Sequence, residues 1–207
     1  MAGRFITFEG GEGVGKSTQI ACVATALQER GLTVVTTREP GGTPGAEAIR
    51  SLLMTGEQDR WNDRAEALLF AAARADHVAK LISPALARGD WVLCDRFVDS
   101  TRAYQGGAGG LPDADIVTLH RIGSAGLLPD RTLVLDLPPG VGSERVLTRS
   151  SSEPDRMGMK RKAYYQRVAS FFQDLAKAEG DRVRLIDASA SVETVTARIM
   201  DALEDLL

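Results

Sequence analysis

Short apolar runs alternate with amphipathic stretches along the whole chain. Arg4 to Phe8 is an apolar run that stops at glycines and predicts a first strand. The helical spacing that follows reaches Arg30, where Gly31 supplies a stop. Leu32 to Thr37, rich in Val and Thr, predicts a second strand, and Thr43 to Thr55 a helix. Asp63 to Arg88 is a long helical region, with Ala, Leu and Phe at helical spacing. Pro84 is placed to break or kink it and Gly89 ends it. Trp91 to Asp95 is apolar on both faces, which marks a central strand. The Gly-rich segment Gln105 to Asp113 predicts a loop. Then come a helix (Asp115 to Ala125), a strand (Thr132 to Leu137), a helix (Gly140 to Arg149) and a polar, mobile loop (Ser150 to Met159). A helix (Lys160 to Glu179), a strand (Val183 to Ile186) and a closing helix (Ser191 to Leu207) complete the chain. Strands alternating with helices imply βαβ units and a parallel sheet, hence an α/β fold.

Composition narrows this little. The 207 residues suit one domain, 1–207, and no repeat or linker divides them. The net charge of −3 argues against a broad basic face and so against sequence-blind nucleic-acid binding. No apolar run approaches the ~18–20 residues that span a bilayer, and the first residues lack signal-peptide architecture. Cys22 and Cys94 have no metal-site spacing and read as small core residues. The expectation is a cytoplasmic protein with neither membrane nor nucleic acid as partner. Of the 25 basic residues, 20 are Arg and 5 Lys. Base composition explains such a bias, but Arg is also the better bidentate phosphate binder.

Candidate chemistry begins immediately after the first strand. Gly10-Gly11-Glu12-Gly13-Val14-Gly15-Lys16-Ser17, followed by Thr18, fits the phosphate-loop pattern G-x-x-x-x-G-K-[ST]. Glycines let successive backbone N–H groups turn around an anion, and the helix after Gly15 aims its positive end at it. Lys16 is expected to reach the β- and γ-phosphates and the Ser17 hydroxyl to ligate Mg²⁺. Asp95 ends the third strand, on the side where ligands bind in open α/β sheets. It is the natural metal partner, unless it caps a helix or pairs with Arg96.

Arg38 and Arg96 follow the second and third strands and are placed to clamp a phosphate, unless each pairs with a buried acid. Phe70 and Arg74 are spaced i, i+4 and share one helix face. Together they can hold a flat base by stacking and directed hydrogen bonds. The same pattern also describes a core phenylalanine beside a surface ion pair. Glu12 is an odd anion inside a phosphate loop and needs somewhere else to face.

The phosphate loop, Arg38-Glu39-Pro40-Gly41-Gly42-Thr43, Leu69 to Arg74, Asp95 to Ser100 and Ala103 to Gly106 occur in an order that closely resembles the thymidylate kinase family over nearly the whole chain. The resemblance implies the P-loop nucleoside-monophosphate-kinase fold: a five-stranded parallel sheet, order 2-3-1-4-5, flanked by helices, with a mobile lid at approximately 149–160. It implies transfer of a phosphoryl group from ATP to dTMP with Mg²⁺, and a homodimer. It assigns Phe70 to stacking on thymine, Arg74 to its O4, and Glu12 toward the acceptor's 3′-hydroxyl or a metal-bound water. Tyr104 would crowd the sugar's 2′ position, with Ser100, Thr101 and Gln105 lining the same pocket.

Phosphoryl transfer needs in-line positioning and neutralisation of spreading negative charge rather than covalent work. This loop has Gly13 beside Glu12 where some family members carry an arginine, so positive charge must come from elsewhere. Arg145 and Arg149, i, i+4 on one helix face, and Arg156 resemble the family's lid arginines; Arg145 is expected near the adenine, and Arg149 and Arg156 near the transferring phosphate. A solvated basic loop would look the same. Gly158 departs from the acidic residue usual in the family, so no acidic role is assigned there. The alternatives are a kinase for another deoxynucleotide or deoxynucleoside, and a nucleotide-dependent switch. No N-K-x-D segment of the kind that reads guanine supports the switch.

Overall fold

The computed structural model describes residues 3–57, 59–138 and 162–207. The predicted helix Gly140 to Arg149, the loop Ser150 to Met159, and with them Arg145, Arg149 and Arg156, lie outside these residues. Five strands form one parallel sheet in the order β2-β3-β1-β4-β5: β1 is Arg4–Glu9, β2 Val34–Arg38, β3 Trp91–Asp95, β4 Arg131–Asp136 and β5 Val183–Asp187. In register, Phe8 lies beside Asp95, and Asp95 beside Arg38. The carboxyl ends of the three strands that precede the candidate site are therefore level.

Alternation along the strands sends side chains to both faces. Ile6, Phe8 and Leu93 face a core completed by Val23 and Leu27 of α1 (Lys16–Glu29) and by Val195 and Ile199 of α8 (Val192–Asp201). Phe5, Val92 and Cys94 face a second core with Phe97, Val78 and Ile82. Both faces are covered, so the middle strands read as continuous apolar runs. Each fully buried Phe, Leu or Ile contributes roughly 1.5–3 kcal/mol.

Capping sets the helix starts. The Thr43 hydroxyl accepts the Ala46 N–H at the head of α2 (Pro44–Met54), and Asn62 accepts the Ala65 N–H at the head of α3 (Asp63–His77). The region predicted as one long helix continues from α3 through a π-helical turn, Val78–Ile82, into α4 (Ser83–Ala87). Pro84 has no N–H to give, and the ladder widens just before it instead of breaking.

Two expectations need correction. The Gly-rich stretch from Gln105 is not a loop at its start: α5 (Val98–Thr101) runs into a π-helical segment, Arg102–Ala108, and α6 (Asp113–Ser124) begins at Asp113. The glycines serve close packing. A Cβ on Gly107 would stand 2.7 Å from the Phe171 ring, and one on Gly106 would stand 3.0 Å from Ile116. The closing helix is also shorter than predicted: α8 ends at Asp201, with a 3₁₀ turn at Glu204–Leu206. α7 (Lys162–Ala178) lies against the π-helical segment, where the Tyr164 hydroxyl donates to the Tyr104 carbonyl at 2.7 Å. Buried Asp99 ties that region to the sheet by accepting from Arg102, Arg182 and Thr132.

Candidate active site

The phosphate loop leaves the centre of the sheet at Glu9 and enters α1 at Lys16. Gly10, Gly13 and Gly15 have φ of 118°, 70° and 98°, a region closed to most side chains. A Cβ on Gly10 would also lie 2.4 Å from the Leu135 carbonyl oxygen, so β4 presses directly against the loop. Gly15 gives α1 no side-chain cap, and the first turn of α1 carries no acidic residue. Its free N–H groups form an electropositive end. Lys16 is buried and donates to the carbonyls of Gly11 (2.7 Å) and Gly10 (3.4 Å). Burial, reinforced by the nearby Arg96 charge, lowers its pKa to about 8. Val14 turns its side chain into the core beneath the loop, while Glu12, Ser17 and Thr18 are exposed.

Asp95 stands at the edge of this cradle. Its Oδ1 is buried with no hydrogen-bond partner among the described residues, an expensive state for a carboxylate with nothing else to bind. Asp95 and Ser17 line one cavity of about 360 Å³ with Thr37, Arg38 and Glu47. Among the described residues there is no cluster of three His, Cys, Asp or Glu side chains able to hold a metal alone. A single carboxylate with a hydroxyl is the donor set of a cation that takes its other ligands from phosphates and water, as Mg²⁺ does.

Arg96 adopts φ 69°, strained for a residue with a side chain. Its N–H donates to the Phe8 carbonyl, its guanidinium donates to Gly10 O and Ser100 Oγ, both at 3.2 Å, and it lies 5.0 Å over the Tyr104 ring. Arg96 therefore touches the loop, Ser100 and Tyr104 at once. The Tyr104 hydroxyl is buried, and the Arg96 guanidinium is the charge that acts on it most strongly. Glu12 is exposed and near enough for its charge to act on both Lys16 and Tyr104.

Glu9 was not singled out from sequence, yet it is the junction of the site. Fully buried, it accepts from Phe97 N (2.8 Å), Ser100 N (3.2 Å) and Ser100 Oγ (2.5 Å). Burial pushes its pKa up to about 7, against the lowering pull of Arg96. The one sequence signal was an acidic residue closing an otherwise apolar central strand.

The residues predicted to meet the base have partners of their own. Phe70 is half-buried and outside the core, one turn from Arg74 on α3. Arg74 is not the surface ion pair considered above: it is 2% exposed, donates from Nε to Glu39 (2.8 Å) and from Nη2 to Thr101 (2.9 Å), and lies 5.1 Å over the Phe97 ring. Gln105, also buried, donates to Glu66 at 3.1 Å. Arg38 is turned outward, paired with Glu47 at 3.0 Å on an exposed rim. It lines the cavity of Ser17 and Asp95, and its backbone lies beside Asp95 in the sheet. Sequence reading also passed over Glu39 and His77, both buried beside Arg74.

A phosphate loop on the central strand of a 2-3-1-4-5 parallel sheet, a carboxylate at the end of the adjacent strand and an arginine reaching from the loop to Ser100 and Tyr104 define a P-loop nucleoside-monophosphate kinase fold. The family model for thymidylate kinase matches residues 8–199, and the chain belongs to that family. It is 59% identical to a thymidylate kinase of Rhizorhabdus wittichii over the full length of both chains. It is 50% identical to one of Caulobacter vibrioides over 96% of this chain and 95% of that one. A crystal structure of thymidylate kinase from Ehrlichia chaffeensis superposes with a TM-score of 0.80 at 32% identity, covering 98% of this chain and 100% of the other.

Proposed function

We infer that this chain is a phosphotransferase that moves the γ-phosphoryl group of ATP to dTMP, giving ADP and dTDP. The observation that carries this reading is Arg96, held at 3.2 Å from the Gly10 carbonyl while lying over Tyr104, because it joins the donor cradle to the acceptor pocket. Gly10 to Thr18 wrap the donor phosphates, and Lys16 exchanges its bonds to loop carbonyls for the β- and γ-phosphates. Ser17 and Asp95 would hold Mg²⁺, which supplies charge neutralisation between those phosphates. Arg96 orients the acceptor phosphate, and Arg38 joins it after releasing Glu47. Phe70, Arg74, Ser100, Thr101, Tyr104 and Gln105 surround the acceptor's base and sugar, with Glu12 toward the 3′-hydroxyl. Arg149 and Arg156 neutralise the transferring phosphate and Arg145 lies near the adenine. These three assignments rest on the family resemblance alone, as does the lid at 149–160.

The acceptor's phosphate oxygen is already a nucleophile at neutral pH, so no general base is required and catalysis is positioning plus charge. We place this reaction in the cytoplasm; no helix among the described residues is long and apolar enough to cross a membrane. A homodimer completes the reading, supported by Leu68 on α3 and Val117 and Ile122 on the adjacent α6, which are apolar and exposed. A coupled assay with ATP and each of dTMP, dUMP, dCMP, dAMP and dGMP tests the function. Turnover fastest on dTMP is expected. ADP release with another acceptor but not dTMP refutes the substrate, and no acceptor-dependent release refutes the kinase.

A further inference from the structure

Arg74 does not stand alone beneath the acceptor pocket. Its Nε donates to Glu39 Oε2 at 2.8 Å, while Glu39 Oε1 accepts from His77 Nδ1 at 3.1 Å. His77 Nε2 in turn meets the Thr37 hydroxyl at 2.7 Å. An ionised carboxylate can only accept, so His77 presents a proton on Nδ1 to Glu39, and its Nε2 shares a hydrogen bond with the Thr37 hydroxyl. In the chain Thr37, His77, Glu39, Arg74, Glu39 thus accepts from Arg74 on one oxygen and from His77 on the other. Thr101 closes the far end by accepting from Arg74 Nη2.

This chain draws on separate parts of the fold: β2, the turn after it, α3 and α5. Arg74, Glu39 and His77 are all 5% exposed or less. Gly42, with φ 86°, completes the fit: a Cβ there would stand 2.5 Å from Thr37 Oγ1 and 2.6 Å from His77 Nε2. The backbone therefore leaves exactly enough room for one hydrogen bond and no side chain. A buried ion pair of this kind is weak support for stability, since apolar residues of similar volume often serve as well. What it does supply is a single orientation. Nε and one N–H of Nη2 are committed and the guanidinium lies over Phe97, so Nη1 and the second N–H of Nη2 are left to meet a ligand.

We propose that Glu39, oriented by His77, is a positioning residue for acceptor selection: it holds the Arg74 fork in the one orientation that reads the acceptor base. The proposal rests on the reading of Arg74 as the contact to that base. Glu39 acts on the acceptor only through Arg74 and has no part in binding ATP. A Gln at this position keeps the size but replaces the charge-assisted bond to Arg74 with a neutral one and forces His77 to accept if the Gln NH₂ is to be satisfied, so the fork is held more weakly.

The test is steady-state kinetics with dTMP and ATP varied in turn. Glu39→Gln is expected to raise KM for dTMP about tenfold or more while KM for ATP stays within about twofold. In an Arg74→Ala background, the same substitution is expected to change KM for dTMP by less than about twofold, since its route of action is gone. His77→Asn keeps a donor near the Nδ1 position and should retain most acceptor affinity, whereas His77→Leu should lose it. This pair decides the matter if Glu39→Gln does not fold. Equal losses for both substrates, or full additivity with Arg74→Ala, would show a merely structural role and overturn the proposal. An unchanged KM for dTMP in Arg74→Ala alone overturns the underlying reading of Arg74. A raised KM in Arg74→Ala with wild-type behaviour in Glu39→Gln overturns only the positioning role.

Discussion

Glu9→Gln isolates one buried titration at the heart of the site. The carboxyl is surrounded by three donors yet sits near pKa 7, against an ordinary value of 4.5, because burial disfavours its charge. The native state therefore holds a proton that the unfolded chain releases between about pH 4.5 and pH 7. Through that window the unfolded state binds fewer protons, so stability falls as pH rises. The contribution is fully present below pH 4.5 and gone above pH 7. The difference between 7 and 4.5 corresponds to roughly 3 kcal/mol. Glutamine cannot ionise, and its carbonyl still accepts the Phe97 and Ser100 N–H groups. Guanidinium unfolding of both proteins at several pH values, in buffers of matched ionic strength, should show the variant gaining about 3 kcal/mol on the wild type between pH 4 and pH 8. All other carboxylates cancel in this difference. Parallel stability curves would refute the reasoning and show that the Arg96 charge keeps Glu9 ionised throughout.

Three further outcomes are expected. Asp99→Ala leaves Arg102 and Arg182 without their shared buried partner, and should cost roughly 3–5 kcal/mol in denaturant unfolding. Gly10→Ala must adopt φ 118° against the Leu135 carbonyl, so calorimetry should find ATP binding weakened and the fold destabilised by ~2 kcal/mol or more. Asp95→Asn retains shape but loses charge beside Ser17, and should raise the Mg²⁺ concentration giving half-maximal rate about tenfold or more.

The sheet was legible because its central strands are apolar on both faces: Trp91 to Asp95 has the same limits in sequence and structure. The segment Arg102–Ala108 was not, because glycine reads as a loop former while here its missing Cβ admits Phe171 and Ile116. Within the site, the phosphate loop and Asp95 were visible because their spacing is dictated by backbone geometry near the phosphates. Arg74 was visible as a residue but not as a buried pair, since its partner Glu39 is 35 positions away. Glu9 escaped for the same reason: its donors, Phe97 and Ser100, stand 88 and 91 positions along the chain. Periodicity reports which face a residue occupies, not what meets it there.

The strand order also dictates when, during synthesis, the protein can begin to bind nucleotide. β1 is translated first, but its neighbours are β3 and β4, and the second of these ends at Asp136 of 207 residues. At ~5–20 residues per second, the apolar strand carrying the phosphate loop waits on the order of ten seconds for both flanks to arrive. Until then β1 can pair with β3 on one side only, and Gly10 has no Leu135 carbonyl to rest against. The first chemistry written into the chain is among the last to become operative, and a nascent chain cut short before residue 136 has the residues of the loop without the neighbours that shape it.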